Sequence, residues 1–497
     1  MQRCLSFVWT ALFIPALYAQ SLLDPTFGTG GLTTYGGTNS SDQFYELLVR
    51  PDGRLIALGR AGFDENEIVV CQFNADGTFD DDFGTAGVFQ HGFSTQYDGL
   101  WAGVLTSDGS IVAAGYSAGA GMVCKITPDG ALDTDFGTDG ITALAGGNAL
   151  DVHLLTDGRL LVAMTTGKVY RIEADGSIDA TFITSTIPDA VAQMRVNDIL
   201  ALSDGTIVCS GLSGGHSGVA WLNADGSLAT DHGDNGFYMP SDSGVVHSTL
   251  LLSDDRVLFV GRKGTAFTSD VALTQVLADG SLDPAFGDGG ILRVDPDPTK
   301  MHAAFRAVRT DDGDYIVSGL TGDGIGTAPA YPFLFKCHAD GSPAPDLGDD
   351  GFHVEPTIPC GQLAVHGPTS LGHHIGAVLQ PSGRLVLATW YKTAGMPAPD
   401  GGVYGLLMPT VNGVGSATAI DAFSMAPNPA SHLVRISFST DDVASMIQLL
   451  DAQGRALRNW PVNGQRTMIL DLHDLPRGLY LMRAIGKSAF AQRLVIQ

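Results

Sequence analysis

The sequence predicts an all-β protein: a seven-bladed β-propeller of four-stranded blades plus a small C-terminal Ig-like β-sandwich. Three observations lead there. Glycine supplies 64 of the 497 residues with no collagen triplet, which marks many tight turns and hence many short strands. One short motif recurs along most of the chain at a spacing near 50 residues. The charge balance then changes sign near the C-terminus.

The recurring motif is Leu-Asp-x-x-Phe-Gly-x-x-Gly. It is complete at Leu23 to Gly31, Leu132 to Gly140 and Leu282 to Gly290, and nearly so at Phe79 to Gly87. Weaker copies begin at Ile178, Leu228 and Pro343. The phenylalanine position falls at Phe27, Phe83, Phe136, Phe182, His232, Phe286 and Leu347, with intervals of 56, 53, 46, 50, 54 and 61 residues. Between copies run two further signals. One is an apolar pair followed by x-x-Asp-Gly and a second apolar run, as in Leu48-Val49-Arg50-Pro51-Asp52-Gly53-Arg54-Leu55-Ile56. The other is an Asp-Gly turn such as Asn74-Ala75-Asp76-Gly77 or Thr127-Pro128-Asp129-Gly130.

Asp-Gly between apolar runs is turn chemistry: aspartate bonds back to the backbone and glycine accepts positive φ. The flanking runs are short and rich in Val, Ile, Leu and aromatics, which favours strands. Four strands per repeat follow. In the first repeat they are residues 31–35, 44–49, 54–59 and 68–73. Units this small bury their faces only against neighbours, so a ring of them is expected. The motif phenylalanine should pack between blades. The most apolar strand should lie nearest the axis, and residues 31–35 should fasten the ring by pairing with the last blade.

Residues 1–19 read as a secretory signal peptide: Arg3, the apolar run Leu5 to Ala16, and Ala19 before the cleavage point. No other apolar run is long enough for a span, so none is expected in the mature chain. The net charge of −26 argues against a nucleic-acid partner, which would need a basic surface. The five cysteines beyond Cys4 do not look like a disulfide framework, and most of them read as small buried apolar residues.

The chain divides into the propeller, residues 20–408, a polar linker at 409–420, and a C-terminal module at 421–497. The module holds eight Lys/Arg and six Asp/Glu, a net of +2, against −29 for residues 20–420. Its strands are expected at residues 433–438, 445–451, 468–472, 478–484 and 492–496.

The repeat motifs resemble the delta-60 repeat family, predicted β-propellers of secreted bacterial proteins, over about residues 21–408. That family carries no catalytic residues to transfer. The C-terminal module resembles the type A C-terminal sorting domain of the type IX secretion system. The matching residues include Pro427, Asn428 and Pro429, then Gly454 and Arg455, then Gly478 and Tyr480, and the last strand with Arg493, where lysine is common. The resemblance implies Sec export to the periplasm of a Gram-negative bacterium, recognition of the tail by the outer-membrane translocon, and arrival at the cell surface or in the medium. It also implies removal of the tail outside, with release or attachment to surface lipopolysaccharide.

Other motifs yield to plainer readings. Gly211-Leu212-Ser213-Gly214-Gly215 has the string of a nucleophile elbow, but a strand rather than a helix follows, so a hairpin loop is expected. Gly322-x-Gly324-x-Gly326 lacks a following helix and reads as a loop. Asp80-Asp81-Asp82 and Asp311-Asp312-Gly313-Asp314 read as solvated turns, with surface Ca²⁺ as the alternative. The long segment from Phe352 to Gly376 carries His353, Cys360, His366, His373 and His374. These histidines are the metal candidates, although their spacing fits no zinc pattern and a surface loop is the default. No catalytic or cofactor-binding residue, and no cofactor, is expected. The function so read is non-enzymatic binding of an extracellular ligand, adhesion or scaffolding. The alternative is a glycan-active hydrolase or lyase, or a quinoprotein, with its site at the mouth of the channel.

Overall fold

The computed structural model describes residues 21–496 apart from 37–41, 63–66, 184–186, 188–193, 241, 265–267, 324–329, 349, 356–357, 359–374, 392–399, 409–422, 427–432, 439–445, 451–455, 463–464, 474, 476–477 and 486–488. It is all-β, and two compact units divide after Met408.

In the first unit the described strands fall into seven successive antiparallel groups. The first sheet runs Gln43–Val49, Leu55–Ala61, Glu67–Phe73 and Val88–His91. The second runs Asp98–Leu105, Ile111–Ser117, Ala120–Ile126 and Ile141–Leu144. The third shows three strands, beginning with Ala149–Leu154. The fourth, fifth and sixth begin with Arg195–Ala201, Gly244–Leu251 and Met301–Arg309. A single parallel bridge from Ser269 to Met301 joins the fifth and sixth. In the seventh, Gly376–Leu379, Leu385–Tyr391 and Asp400–Leu406 are completed by Leu32–Tyr35 from the start of the chain, with Leu32 opposite Tyr404 and Tyr35 opposite Gly401. The leading strands of successive sheets lie side by side, and the seventh's lies against the first's. The seam is thus sewn by the N-terminal strand, and the short strand after each Phe-Gly motif is the outermost strand of the preceding sheet.

The motif explains each joint. The glycine after the motif phenylalanine donates its N–H to the carbonyl of the aspartate in the next sheet's Asp-Gly turn: Gly28 to Asp76, Gly84 to Asp129, Gly137 to Asp175 and Gly287 to Asp340, at 2.7–2.8 Å. The phenylalanine ring slides beneath the glycine of that turn. Gly77, at φ +84, could not carry a Cβ, which would lie 2.6 Å from the Phe27 ring. Phe27, Phe83 and Phe286 are fully buried, each stabilising by about 2–3 kcal/mol. Where the motif has His232, Trp221 fills the space under Gly280 and stacks on the histidine.

The motif aspartates are struts, and here the structure corrects the reading of Asp80 as a solvated turn. Asp80 is 6% exposed and accepts from Arg54 at 2.9 Å and Gln72 at 2.7 Å. Burial raises its pKa, but these bonds outweigh that and hold it below the usual carboxylate value. Asp24 with Arg384, Asp179 with Arg171 and Arg159, and Asp283 with Gln275 and Arg256 repeat the arrangement. Asp314 is also buried, against Lys336 and His338. Cys71, Cys124, Cys209 and Cys337 are free and buried; burial pushes the Cys124 thiol up to about 12.

The second unit has two sheets over one core. Phe423–Ala426, Leu433–Phe438 and Thr467–Asp471 form one; Ala456–Pro461, Met446–Leu450, Gly478–Ile485 and Ala489–Ile496 form the other. Val434, Ile436, Ile447, Leu449, Leu470 and Met482 fill the space between. Phe423–Ala426 and Ala456–Pro461 are additional to the strands expected from sequence; Pro461 and the neighbouring Pro427 mask their strand pattern.

Candidate functional site

Six of the leading strands carry a bulge at one level. The register slips between Phe44 and Glu46, Leu100 and Ala102, Ala149 and Asp151, Val196 and Asp198, Val246 and Ser248, and Ala304 and Arg306. A bulge leaves one residue outside the ladder and re-aims its side chain. The residues so displaced are Tyr45, Trp101, Leu150, Asn197, His247 and Phe305, all buried. They meet from sheet to sheet. Tyr45 and Trp101 rings lie 4.4 Å apart, Leu150 joins them, and His247 lies 4.7 Å from Phe305. Asn197 Nδ2 donates to the Val246 carbonyl at 2.6 Å.

The residue after each bulge forms a second belt: Glu46, Ala102, Asp151, Asp198, Ser248 and Arg306, with Gly376 at the corresponding register of the seventh sheet. Charged members from four sheets converge. Arg306 pairs with Glu46 and stands 4.0 Å from Asp198. Asp151 accepts the Ile199 N–H of the next sheet at 2.9 Å, Asp198 accepts the Thr249 hydroxyl of the next, and Glu46 accepts the Leu47 N–H at 2.9 Å. Burial, reinforced by Asp198, pushes the Asp151 carboxyl well above the usual range. Burial likewise pushes Asp198 up to about 6, against the pull of Arg306 and Thr249. Burial works against the Arg306 charge, but Glu46 and Asp198 outweigh it and raise its pKa.

Sequence reasoning passed over these residues, although a signal exists. Each stands seven positions before the glycine, or Asp255, of its Asp-Gly turn: Glu46 before Gly53, Asp151 before Gly158, Asp198 before Gly205, Arg306 before Gly313. A charge at a fixed offset inside an apolar strand is the trace a charged belt leaves.

The residues singled out from sequence lie elsewhere. His353 is 6% exposed on the outermost strand of the sixth sheet, its Nε2 3.6 Å from the buried Glu355, which takes the Leu22 N–H at 2.8 Å. His366, His373, His374 and Cys360 lie outside the described residues, as do the signal segment, the Gly324–Gly326 stretch, Pro427, Asn428, Pro429, Gly454 and Arg455. Among the described residues no group of three His, Cys, Asp or Glu is placed to hold a metal ion. Ser213 and His216 face each other across a hairpin, with His216 Nδ1 on the Asp242 carbonyl, so the elbow string is a hairpin turn. In the tail, Gly478 opens a strand opposite Ile496, Tyr480 is buried, and Arg493 pairs with Leu481 on the final strand.

These features define a β-propeller chain with a separate sandwich module at its C-terminus. Residues 424–497 match the family described as a secretion system C-terminal sorting domain. Residues 50–83, 106–136 and 155–182 match a β-propeller domain of unknown function, DUF5122. The chain is a type IX secretion cargo with a β-propeller domain. The tail marks it for export to the cell surface or extracellular space and for interaction with the secretion machinery. Among the described residues no helix is long and apolar enough to cross a membrane. No curated protein matches the chain. Among solved structures it is similar to PorZ, described as an essential bacterial surface component of the type-IX secretion system of Porphyromonas gingivalis, at 13% identity over 90% of this chain and 68% of that one, TM-score 0.31. It is also similar to BamB from Moraxella catarrhalis, at 12% identity over 75% and 97%, TM-score 0.36. A protein of unknown function from Bacteroides caccae gives 12% over 57% and 84%, TM-score 0.34.

Proposed function

We propose that the exported chain is a non-enzymatic binding or scaffolding protein, a seven-bladed ring that presents its loops to an extracellular ligand, released or held on surface lipopolysaccharide. The observation that supports this is the use to which the axial charges are put. Asp151, Asp198 and Arg306 each bond to a different sheet from their own. Groups so engaged weld the ring rather than wait for a substrate, and a rigid ring suits loops that bind. A second reading, a glycan-active hydrolase or lyase, draws on Asp198: a carboxyl raised to about 6 beside a guanidinium is the profile of a general acid. One experiment separates them. The purified secreted protein is incubated with defined polysaccharides and extracellular matrix proteins, reading binding by interferometry and cleavage by new reducing or unsaturated ends. Saturable binding without cleavage supports the first reading; cleavage that disappears in Asp198→Asn overturns it in favour of the second.

A further inference from the structure

A groove of about 850 Å³ opens on the flank of the first three sheets. The outermost strand of the first sheet brings His91 to it, with Phe93 just beyond the strand's end. The outermost strand of the second brings Ile141 and Ala143, and the Asp-Gly turn of the third brings Asp175, Ser177 and Ile178. The volume falls within the range of small-molecule sites, about 300–1,000 Å³. Asp135, Asp139 and Asp175 on its lining are all exposed, so solvent enters freely.

The apolar side of the groove is fixed in place. The His91 and Phe93 rings meet edge to face, 4.5 Å apart. The backbone under the Phe93 ring is pinned, because the N–H groups of Phe93 and Ser94 both donate to the buried Asp98 carboxylate, at 2.7 and 3.0 Å. Ile178 is 43% exposed and adds an aliphatic face.

The polar side is unspent. Neighbouring aspartates are tied up in the fold: Asp133 pairs with Lys125 at 3.0 Å, and Asp175 Oδ1 takes both the Ser177 N–H and its hydroxyl. The carboxylates of Asp135 and Asp139 take no bond from any described residue. Asp139 is not called for by the joint either. It holds a left-handed turn at φ +53, a place that Gly30 and Gly289 hold in other copies of the motif. Glycine adopts that conformation more easily, so the turn alone gives no reason for a carboxylate. Among the described residues no lysine or arginine lines the groove.

From this arrangement we infer that the groove binds a neutral glycan, a chain of uncharged pyranose units. A pyranose ring offers an apolar C–H face to Phe93 and Ile178, and hydroxyls on its rim to donate to Asp135 and Asp139. A hydroxyl bonded to a carboxylate is short and strong, and it brings no charge of its own. An acidic glycan would set like charge against three aspartates. A basic peptide would match their sign, but ion pairs at exposed carboxylates gain little in water. The fixed apolar surface must therefore carry the affinity, and that favours a ligand with a flat apolar face on every unit. The inference rests on the binding reading above and names the class of its ligand and the place that takes it.

Calorimetric titration of the whole secreted protein tests it. Cellohexaose, maltohexaose and mannohexaose serve as neutral probes, hexagalacturonate as an acidic one and hexalysine as a basic one. Saturable binding of at least one neutral hexaose is expected, unchanged between low and high salt, with hexagalacturonate about tenfold weaker or worse. Affinity for that hexaose should fall about tenfold in Phe93→Ala and about fivefold in Asp139→Gly. Asp139→Gly installs the residue that the same turn has elsewhere in the chain, so it keeps the test meaningful if Phe93→Ala fails to fold. No binding of any neutral hexaose, or hexalysine bound more tightly than every hexaose, would overturn the inference. Binding of a matrix protein alone, or of a hexaose indifferent to both substitutions, would sink this inference and leave the binding reading standing.

Discussion

Arg306 on the sixth sheet makes its ion pair with Glu46 on the first, past Gly376 of the seventh. A Cβ at Gly376 would lie 2.6 Å from the Leu47 nitrogen, so the seventh strand presses against the first without a side chain between them. Deleting one partner of a buried pair costs about 3–5 kcal/mol, because the other is left uncompensated. Arg306→Leu is expected to lower the unfolding free energy by about 3 kcal/mol in urea titrations at pH 8, and by clearly less at pH 4.5, where protonation relieves the carboxylates. Equal losses at both pH values would mean that Arg306 contributes packing rather than charge.

Asp198 gives a second pH signature. Its carboxyl is raised by burial to about 6. A group raised in the folded state stabilises fully below its unfolded value, near 3.8, and that contribution is lost as pH rises through about 6. The shift corresponds to a loss on the order of 3 kcal/mol. Asp198→Asn carries no such dependence. Its melting temperature, relative to the parent, should climb steadily between pH 4 and 6.5 in calorimetry. A constant difference across that window would show that Asp198 titrates normally.

The joints predict a third result. Phe83 is fully buried under Gly130, and Phe83→Ala should cost about 3–5 kcal/mol in chemical denaturation. His232→Phe, although it restores the motif, should bring no gain in stability, because Trp221 already fills the place under Gly280. A clear gain would show spare room at that joint.

The fourth result concerns traffic. Removing residues 421–497, which hold the sorting-domain match, should leave the protein in the periplasm of the producing cell, as read by fractionation and immunoblotting. Undiminished export would place the signal elsewhere in the chain.

The sheets and joints were legible because turn chemistry is local: Asp-Gly pairs, Phe-Gly motifs and short apolar runs announce themselves within nine residues or so. The pairing of Leu32–Tyr35 with Asp400–Leu406 followed from the phase of the repeat. The role of Asp80 was not legible, since its partners stand apart along the chain, Arg54 just before one strand and Gln72 on the next, and a triple aspartate alone resembles a solvated turn. Nor was the axial belt, whose charged members come from the first, third, fourth and sixth sheets. Each looks like an isolated charge until the repeats are aligned on their turns. Histidines crowded into one segment drew notice instead, because proximity along the chain is easier to see than proximity across a ring.

The strand that closes the ring has a consequence for the order of events. Leu32–Tyr35 is made before every other described strand and meets Asp400–Leu406 near the end of the propeller. A polypeptide threaded through a bilayer amino end first must hold this clasp open while every intervening hairpin emerges. The final stitch and the address label, which begins within some twenty residues of it, therefore arrive almost together, so that a chain cut short loses its fastening and its destination at once.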